Sequence, residues 1–300
     1  MKLLVTGATG FLGENFVRQL QSEYELVALV RDSSNIDSLK NLNCNIQKYK
    51  AESEILEIFK HNDFDGVVHF ASSVCVDHEY EDIKVLIDSN IYFGTLLLEA
   101  SVATKVKWFI NTGTVWQSYL NEPYNPVNLY AATKEAFENI AKYYTETSNL
   151  IFTTLRLNDT FGPNDTRAKI FNLWISNAQT GEPLKMSPGE QIIDISYIDD
   201  IVNAYDTLIK ELSEENAVLL KNATFTVANK EKVSLRELAS IFEQVTNLKL
   251  NIEWGGRAYR EREIMGANNV EQAVPGWQQK YSLEEAIKKT VESKNVQKEN

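Results

Sequence analysis

A tyrosine and a lysine four residues apart are the residues of this sequence whose types and spacing most directly suggest chemistry. Tyr130 and Lys134 stand in the segment YAATK at the start of a helical pattern, so both side chains share one helix face. A phenol has a pKa of ~10, which is too high for easy proton exchange near neutrality. Because a neighbouring ammonium favours the phenolate, we expect Lys134 to lower the pKa of Tyr130 and make it a general acid or base.

A hydroxyl residue precedes this pair at the end of an apolar segment. The run WFINTGTVW (Trp108–Trp116) is typical of a strand that ends near Thr112. Ligands of open α/β sheets bind beyond the carboxyl ends of the strands, so Thr112 is expected to hydrogen-bond the reacting oxygen beside Tyr130. The structural alternatives are a strand-end cap for Thr112 and an ordinary helical pair for Tyr130 and Lys134.

A glycine-rich segment, TGATGFLG (Thr6–Gly13), follows the first predicted strand and opens the first predicted helix. Gly7 permits a tight turn, Gly10 lets the backbone approach a pyrophosphate, and Gly13 allows close contact between helix and strand. The N–H groups and partial positive charge of the helix N-terminus suit phosphates. The segment therefore predicts a nicotinamide dinucleotide site that includes Gly7, Thr9, Gly10, Phe11, Leu12 and Gly13.

The second predicted strand ends on a basic residue, Arg31, which Asp32 and two serines follow. An acidic residue at this place binds the ribose hydroxyls of NAD, whereas a guanidinium beside hydroxyls suits the 2′-phosphate of NADP(H). We therefore expect NADP(H), with Arg31 and Asp32 at its adenosine end. In the alternative, Asp32 binds the ribose of NAD and Arg31 is a solvated loop residue.

Short apolar runs alternate with amphipathic segments through the first half of the 300 residues. This alternation predicts an α/β fold, a Rossmann-type doubly wound parallel sheet with helices on both faces. We expect 1–163 to form the dinucleotide-binding domain, completed by about 192–228. The segments 164–191 and 229–300 are expected to form a smaller C-terminal substrate-binding α/β region.

Several individual elements of the pattern are specific enough to test. It predicts a long helix over Ile83–Ala103 and a strand over Leu248–Glu253. Ser234 and Glu237 have the spacing of a capping box at a helix start. The terminal segment KNVQKEN is expected to fray.

Composition narrows the possible partners and compartments. The formal net charge of −12 argues against a nucleic-acid surface, which requires a basic face. Cys44 and Cys75 form no CxxC or CxxH pair, so neither a zinc site nor a disulfide framework is expected. No secretory signal pattern and no apolar stretch of the ~18–20 residues of a membrane helix stand out. We expect a cytoplasmic protein without a metal or membrane partner.

Six motifs, in their order and spacing, resemble the extended short-chain dehydrogenase/reductases, the NAD-dependent epimerase/dehydratase group. They cover nearly the whole chain and read TGATGFLG, HFASS, NTGTVW, YAATK, LRLNDTFGPND and DISYIDD. The resemblance implies that Thr112, Tyr130 and Lys134 are the catalytic trio, with Lys134 also holding the nicotinamide ribose. It further implies a homodimer paired through two helices of each subunit.

The resemblance also implies which residues surround the two ligands. On the cofactor side these are Phe70, Ala71, Ser72, Asn90 and Leu157, together with Tyr130 and Lys134. On the side of a nucleotide-sugar substrate the expected residues are Ser73, Thr112, Thr114, Asp159, Lys169 and Arg260.

Departures from the family pattern narrow the reaction. Dehydratases of the group carry an Asp-Glu pair after the catalytic threonine, but Gly113 and Thr114 stand there, so elimination of water is not expected. Ile193 replaces a phosphate-binding arginine of the group. Arg257, Arg260 and Arg262 are candidate replacements, and Arg260 is the one we favour.

The motifs NTGTVW, YAATK and SPGEQIID also resemble nucleotide-sugar 4-ketoreductases of the CDP-abequose and CDP-paratose synthase type. This resemblance implies an NADPH-dependent reductase that delivers hydride to C4 of a 4-keto-deoxysugar nucleotide, with Tyr130 as proton donor, in deoxysugar and surface polysaccharide biosynthesis. One alternative is a 4-epimerase that retains its NAD and uses the same trio. Another is a regulatory NADP(H)-binding protein without turnover.

Overall fold

A computed structural model describes residues 1–267 and 272–296. Its strands are β1 (Lys2–Thr6), β2 (Glu25–Arg31), β3 (Asn45–Tyr49), β4 (Gly66–His69), β5 (Trp108–Thr114), β6 (Ile151–Leu157), β7 (Asp159–Phe161), β8 (Leu184–Met186), β9 (Ile192–Ile193), β10 (Ile195–Tyr197), β11 (Thr224–Val227), β12 (Val233–Ser234), β13 (Ile252–Trp254) and β14 (Gln272–Ala273). Most of the terminal segment KNVQKEN, with its predicted fraying, lies outside the described residues.

The helices lie between these strands in the predicted alternation. They are α1 (Phe11–Leu20), α2 (Glu54–Lys60), α3 (Asp82–Ile87), α4 (Phe93–Ala103), α5 (Leu129–Thr147), α6 (Ile170–Thr180), α7 (Ile198–Glu211), α8 (Leu235–Thr246) and α9 (Leu283–Val296). Ser234 accepts a hydrogen bond from the Glu237 amide, and the Glu237 carboxylate accepts one from the Ser234 amide. The predicted capping box is therefore confirmed.

Eight parallel strands form the main sheet of the described chain, in the order β14-β11-β6-β5-β4-β1-β2-β3. The chain winds outward from β1 in one direction and from β4 in the other, so the order reverses between these two strands. The predicted α/β class, a doubly wound Rossmann-type sheet, is confirmed. The crevice beyond the carboxyl ends of β1 and β4 is where such sheets bind ligands.

The two faces of the sheet carry separate hydrophobic cores. Leu3 and Val5 of β1 pack on one face with α1 and α7, and Leu4 packs on the other face with α2, α4 and α5. Because successive side chains of a strand point to opposite faces, an apolar run such as LLV buries both sides. The sheet is thus held rigid from both faces, with its strand ends exposed to ligands.

The last strands of the main sheet come from the second half of the chain. β11 falls within the stretch expected to complete the dinucleotide-binding domain, and β14 falls in the stretch assigned to the substrate region. The boundary between the two regions therefore stays a prediction. β13 starts at Ile252, later than the predicted strand start at Leu248, and it pairs with β8. β8 itself lies in the turn-rich segment Thr180–Gln191, where no strand is predicted.

The helix predicted over Ile83–Ala103 is interrupted by a π-helical turn, Asp88–Tyr92, between α3 and α4. This turn carries Asn90, whose side chain is buried and hydrogen-bonded to neighbouring segments. Such turns insert one extra residue into a helix and are common at functional sites. The predicted long helix is confirmed, and the π-helical turn within it is a feature that hydrophobic periodicity does not register.

By length and hydropathy alone, Asp82–Ala103 could cross a membrane, contrary to the expectation that no such stretch exists. In the fold this segment packs against α2 and α5 and buries Leu86, Leu97 and Leu98. Packing on the sheet therefore accounts for part of its apolar character. Ile83, Val85, Ile87 and Tyr92 remain exposed.

Candidate active site

A cavity of about 310 Å³ lies at the carboxyl ends of the central strands, where the order of the sheet reverses. It brings together predicted residues from both halves of the chain. On the cofactor side these are Gly7, Gly10, Phe11, Leu12, Gly13, Phe70, Ser72 and Leu157. On the substrate and catalytic side these are Thr112, Thr114, Tyr130, Lys134, Asp159 and Lys169.

The glycine loop between β1 and α1 has the shape that a dinucleotide requires. Gly7 has a φ of +69°, and a Cβ there would lie 2.6 Å from the Ala71 nitrogen. A Cβ at Gly13 would lie 2.3 Å from the Gly7 oxygen, so helix and loop can approach this closely only with glycine. A Cβ at Gly10 would meet only the Gly7 oxygen, at 3.3 Å, and would otherwise occupy the cavity. These residues therefore fit a dinucleotide diphosphate.

The expected adenosine end of the site lies at the tip of β2, outside the cavity. Arg31 is the last residue of β2 and is exposed, and the Asp32 amide donates to the Tyr49 oxygen at 2.8 Å. The Lys48 ammonium donates to the backbone carbonyl oxygen of Asp32 at 3.4 Å. The tip thus carries two cations, of which the sequence reasoning identified only Arg31.

Three other predicted residues lie just behind the cavity wall. Thr9 belongs to the glycine loop, and the Ala71 amide donates to the Thr6 hydroxyl at 3.2 Å. The buried Asn90 amide donates to the Ser73 oxygen and to the Thr133 hydroxyl, each at 2.9 Å. Its carbonyl oxygen accepts from the Ser72 hydroxyl and from the Ser73 amide. Asn90 therefore holds the Ser72–Ser73 loop against α5.

Helix α5 presents Tyr130 to the cavity because Asn128 fixes its first turn. The Asn128 side chain accepts from the Ala131 amide at 3.0 Å and donates to the Val76 oxygen at 3.1 Å. An Asn N-cap of this kind sets the helix start. Tyr130 and Lys134 then lie one turn apart on the face that lines the cavity.

The expectation that Lys134 lowers the pKa of Tyr130 was wrong for this structure. Burial raises the pKa of Tyr130 to about 12, and a hydrogen bond with Ser72 offsets part of the rise. Desolvation disfavours the phenolate more than the local charges favour it. Tyr130 is therefore a protonated phenol over the physiological range, which suits a proton donor.

Lys134 is a buried cation at the floor of the cavity. It is 2% exposed, and burial lowers its pKa to about 8, while the charge of Glu138 partly opposes that shift. Glu138 lies one turn further along α5. Lys134 thus remains mainly protonated at neutral pH, and its ammonium faces the space beside Tyr130.

A buried polar network ties α5 to the two strands beneath it. Arg156 of β6 donates to Glu138 at 2.7 Å and to Glu135 at 3.0 Å. Gln117 donates to both carboxylates at 2.8 Å, and its own oxygen accepts from the Thr114 amide at 2.9 Å. Burial raises the pKa of Glu138, and Arg156 and Gln117 oppose the rise. The network fixes α5 relative to the strand end that carries the catalytic hydroxyl.

Thr112 lies near the end of β5, lines the cavity and is 8% exposed. Its hydroxyl forms a 2.6 Å hydrogen bond with the hydroxyl of Tyr205 on α7. This contact spans 93 positions of the chain, and no sequence motif signals it. Tyr205 is therefore a residue of the site that the sequence reasoning missed.

Position 113, the first after Thr112, has little room for the acidic side chain of an elimination pair. A Cβ at Gly113 would lie 2.8 Å from the Gln117 side-chain oxygen and 2.9 Å from Cγ of Arg156. The Thr114 hydroxyl accepts from the Trp116 amide and caps the turn that follows β5. A carboxylate at 113 would require the network beneath it to move.

The substrate side of the cavity is built from oppositely charged residues that pair with each other. Lys169 donates to Asp159 at 2.9 Å, so neither is a lone charge. Ser73 lies behind the cavity wall. Arg260 lines an adjoining cavity of about 440 Å³ that shares Asp159 and Lys169 with the first. The cleft therefore continues from the catalytic residues towards Arg260.

The other two arginines proposed to replace Ile193 make different contacts from each other. The Arg262 guanidinium lies 4.3 Å from the Tyr119 ring centre and hydrogen-bonds Asn125. The Arg257 amide donates to the Met186 oxygen at 3.1 Å. Of the three arginines, Arg260 and Arg257 line the adjoining cavity.

A family model described as the NAD dependent epimerase/dehydratase family matches residues 3–220. The chain belongs to this family. The resemblance inferred from the six motifs is thereby confirmed. The chain is therefore an enzyme of a family that uses NAD(P).

Two relatives match the chain over most of its length. A CDP-abequose synthase of Salmonella muenchen is 29% identical and covers 98% of both chains. A CDP-abequose synthase of Yersinia pseudotuberculosis is 27% identical, over 88% of this chain and 91% of the relative. The sequence similarity thus extends over most of the chain and of each relative.

Solved structures of the family share the fold. A UDP-glucose 4-epimerase of Thermotoga maritima with UDP-glucose has a TM-score of 0.84 at 23% identity, over 99% of each chain. A UDP-glucuronic acid 4-epimerase of Bacillus cereus with UDP-glucuronic acid and NAD has a TM-score of 0.84 at 21% identity, over 99% of this chain and 100% of that one.

One further cation beside the family's glycine loop was not predicted. Arg167 lines the cavity, and its guanidinium lies 4.3 Å from the ring centre of Phe11. The buried carboxylate of Asp165 holds it with two hydrogen bonds of 2.8 Å. Arg167 stands two residues after the motif LRLNDTFGPND, but only the folded chain places it near the glycine loop.

The family member's site can therefore transfer a proton to an oxygen held beside a dinucleotide. Tyr130 offers a protonated phenol, Thr112 a neighbouring hydroxyl, and Lys134 a buried positive charge. All three face one cavity that the glycine loop also lines.

Proposed function

We propose that this enzyme reduces the 4-keto group of a deoxysugar nucleotide with NADPH. One observation carries the choice within the family, namely the similarity over nearly the whole chain to CDP-abequose synthases. A substrate of the same class, a nucleotide-linked 4-keto-deoxysugar, follows from that similarity. The lack of space for a carboxylate at Gly113 supports reduction over elimination of water.

The roles of the chain's own residues follow from the site. Bound NADPH supplies the hydride that reaches C4. Tyr130, protonated because burial raises the pKa of its phenol, donates the proton to the developing O4 alkoxide. Thr112 donates a hydrogen bond to the same oxygen, and Lys134 stabilises negative charge on Tyr130 after the transfer.

We further propose that the cofactor is NADP(H). Arg31 ends β2, and Lys48 of β3 donates to the Asp32 backbone oxygen, so both charges lie near the β2–β3 tip, on opposite faces of the sheet, at the adenosine end expected of the fold. A 2′-phosphate brings extra negative charge that two exposed cations can bind. The closest acidic side chain, Asp32, offers a ribose contact in the NAD alternative.

Oxidation of NADPH with defined substrates tests the proposal. Purified enzyme would be mixed with NADPH or NADH and a panel of 4-keto-6-deoxy and 4-keto-3,6-dideoxy sugar nucleotides, and absorbance at the reduced-nicotinamide band followed. We expect steady oxidation with at least one CDP-linked substrate, faster with NADPH. Interconversion at C4 of 4-hydroxy sugar nucleotides, supplied in place of the 4-keto panel, without net change in the nicotinamide would replace this proposal with a 4-epimerase. Nucleotide binding without any turnover would indicate a regulatory protein.

We also propose a homodimer paired through α3, α4 and α5. Five large apolar side chains on α3, the π-helical turn and α5 are exposed in the single chain, namely Ile83, Val85, Ile87, Tyr92 and Tyr143. Burial of such a patch against a second copy removes apolar surface from water. Light scattering after size exclusion should give twice the chain mass, and Ile87→Asp should reduce it to the mass of one chain.

A further inference from the structure

The hydroxyl groups of Thr112 and Tyr205 form a buried pair at the edge of the active site. The two oxygens are 2.6 Å apart, Tyr205 is fully buried, and Thr112 is 8% exposed towards the cavity. Tyr205 comes from α7, on the face of the sheet opposite to α5. The pair therefore joins Thr112 of the proposed catalytic trio to α7, a helix that carries none of the three residues.

Hydrogen-bond satisfaction favours Tyr205 as the donor in this pair. The Tyr205 hydroxyl has no other hydrogen-bond partner within residues 1–267 and 272–296. If Thr112 donated, the phenolic hydrogen would be buried without an acceptor, which is unfavourable. If Tyr205 donates, its hydrogen is satisfied, and the Thr112 hydrogen is left to point elsewhere. The cavity is the open direction, since Thr112 lines it.

The ring of Tyr205 is held so that its hydroxyl cannot easily turn away. Its ring centre lies 4.8 Å from that of Phe70 and 6.2 Å from that of Phe16, both in edge-on or tilted contacts. Phe70 itself lines the cavity at the end of β4. The aromatic cluster thus locks the phenol that faces Thr112.

We propose that Tyr205 is a positioning residue that orients the Thr112 hydroxyl as a hydrogen-bond donor to the reacting oxygen. Accepting a hydrogen bond from Tyr205 polarises the Thr112 hydroxyl and strengthens the bond that it donates. A donor aimed at the developing alkoxide stabilises the transition state more than the ground state. The inference rests on the proposed function only in placing that oxygen between Thr112 and Tyr130.

A double-mutant cycle tests this role, measured as kcat and KM of whichever nucleotide-sugar reaction the wild type carries out. We expect Thr112→Val to lower kcat about 100-fold, as loss of one oxyanion donor does. Tyr205→Phe should lower kcat about tenfold and leave KM little changed, because it loosens a transition-state interaction. The double variant should lose only about 100-fold, since Tyr205 acts through the hydroxyl that Thr112→Val removes.

Two further variants separate positioning from general damage. Thr112→Ser keeps the hydroxyl, so Tyr205→Phe should again cost about tenfold in that background. Tyr24→Phe removes a phenol hydrogen bond of the same length, 2.6 Å, to Asp206 of the same helix, away from the cavity. Thermal unfolding should place Tyr205→Phe and Tyr24→Phe at comparable stability, with kcat lowered only in the former.

The outcomes distinguish this inference from the proposed function. Independent losses that multiply to about 1000-fold in the double variant, or an unchanged kcat in Tyr205→Phe, would overturn the role of Tyr205. Interconversion of sugar nucleotides without net NADPH oxidation would replace the proposed reduction with epimerisation. The double-mutant cycle would then be measured on the kcat of the epimerisation. A wild type without any turnover would overturn both.

Discussion

The carboxyl ends of β5 and β2 both carry side chains to which the sequence assigns a role, and the fold supports them very differently. At the end of β5, Thr112 is almost fully buried and hydrogen-bonded to Tyr205, and the backbone of Thr114 is held by Gln117. At the end of β2, the Arg31 side chain is exposed, and only the backbone amide of Asp32 is fixed, by a hydrogen bond to the Tyr49 oxygen.

This difference fits the roles proposed for the two strand ends, proton transfer at β5 and nucleotide selection at β2. Proton transfer needs donors fixed within a fraction of an ångström, and buried hydrogen-bond networks supply that precision. Discrimination between two nucleotides that differ by a phosphate needs charge at the right place, which exposed and mobile cations supply. Substitutions at the β5 end should therefore change rate and stability strongly, and those at the β2 tip should change selectivity moderately.

The largest effect is expected from the phenol beside the β5 end. Tyr130→Phe removes the proposed proton donor and should lower kcat about 10³-fold, within the range for general acid catalysis. Tyr143→Phe, an exposed tyrosine of the same helix, is the matched control and should keep full activity. Turnover of both variants under saturating substrate checks the prediction. Retention of more than a tenth of the activity in Tyr130→Phe would remove Tyr130 from the proton-donor role.

Stability should also depend strongly on the network below the β5 end. Arg156→Met leaves Glu135 and Glu138 buried without their cation and should lower the free energy of unfolding by about 3–5 kcal/mol. Lys107→Met breaks a pair with Asp65 whose lysine is mainly exposed and should cost at most about 1 kcal/mol. Urea denaturation of both variants measures the contrast. Equal losses would show that burial of the network adds no stability.

The pH dependence of the reaction should report on the same network. Lys134, with a pKa of about 8, loses its proton above that pH, so kcat/KM should fall there. Glu138 favours the protonated form, so Glu138→Gln should lower the pKa of Lys134 and shift the alkaline limb to lower pH. Glu135→Gln disturbs the same arginine without facing Lys134 and should leave the limb in place. A limb that moves to higher pH in Glu138→Gln would contradict this assignment.

The smallest effect is expected at the β2 tip. The double variant Arg31→Ala, Lys48→Ala should lower the preference for NADPH over NADH about tenfold, through a higher KM for NADPH. Arg18→Ala, an exposed arginine on α1 that pairs with Glu14, is the control and should leave the preference unchanged. Ratios of kcat/KM for the two nucleotides measure it. An unchanged ratio in the double variant would assign the adenosine end to Asp32 and NAD.

Local sequence signals were sufficient for several elements of the fold. The glycine loop, the run YAATK and the capping box at Ser234 each lie within one turn or one strand end. Their chemistry is contained in neighbouring residues, so the fold class and the family could be predicted. The segment from Leu129 to Thr147 is helical as the pattern indicates.

Contacts between distant segments could not be predicted in the same way. Tyr205 reaches Thr112, Arg156 reaches Glu138, and Arg167 reaches Phe11, although nothing in their local sequence indicates a partner. The predicted charge effect of Lys134 on Tyr130 failed for a related reason. Spacing along a helix predicts proximity, but the pKa depends on burial, which the whole fold decides.

Transfer of deuterium from labelled NADPH tests the central claim most directly. The enzyme would be given NADPH deuterated at C4 of the nicotinamide and a CDP-linked 4-keto-3,6-dideoxy sugar, and the product analysed by NMR. Net reduction predicts one deuterium at C4 of the sugar for each NADPH oxidised, and none with Tyr130→Phe. Recovery of the 4-keto sugar unchanged, with all deuterium still on the nicotinamide, would contradict the account.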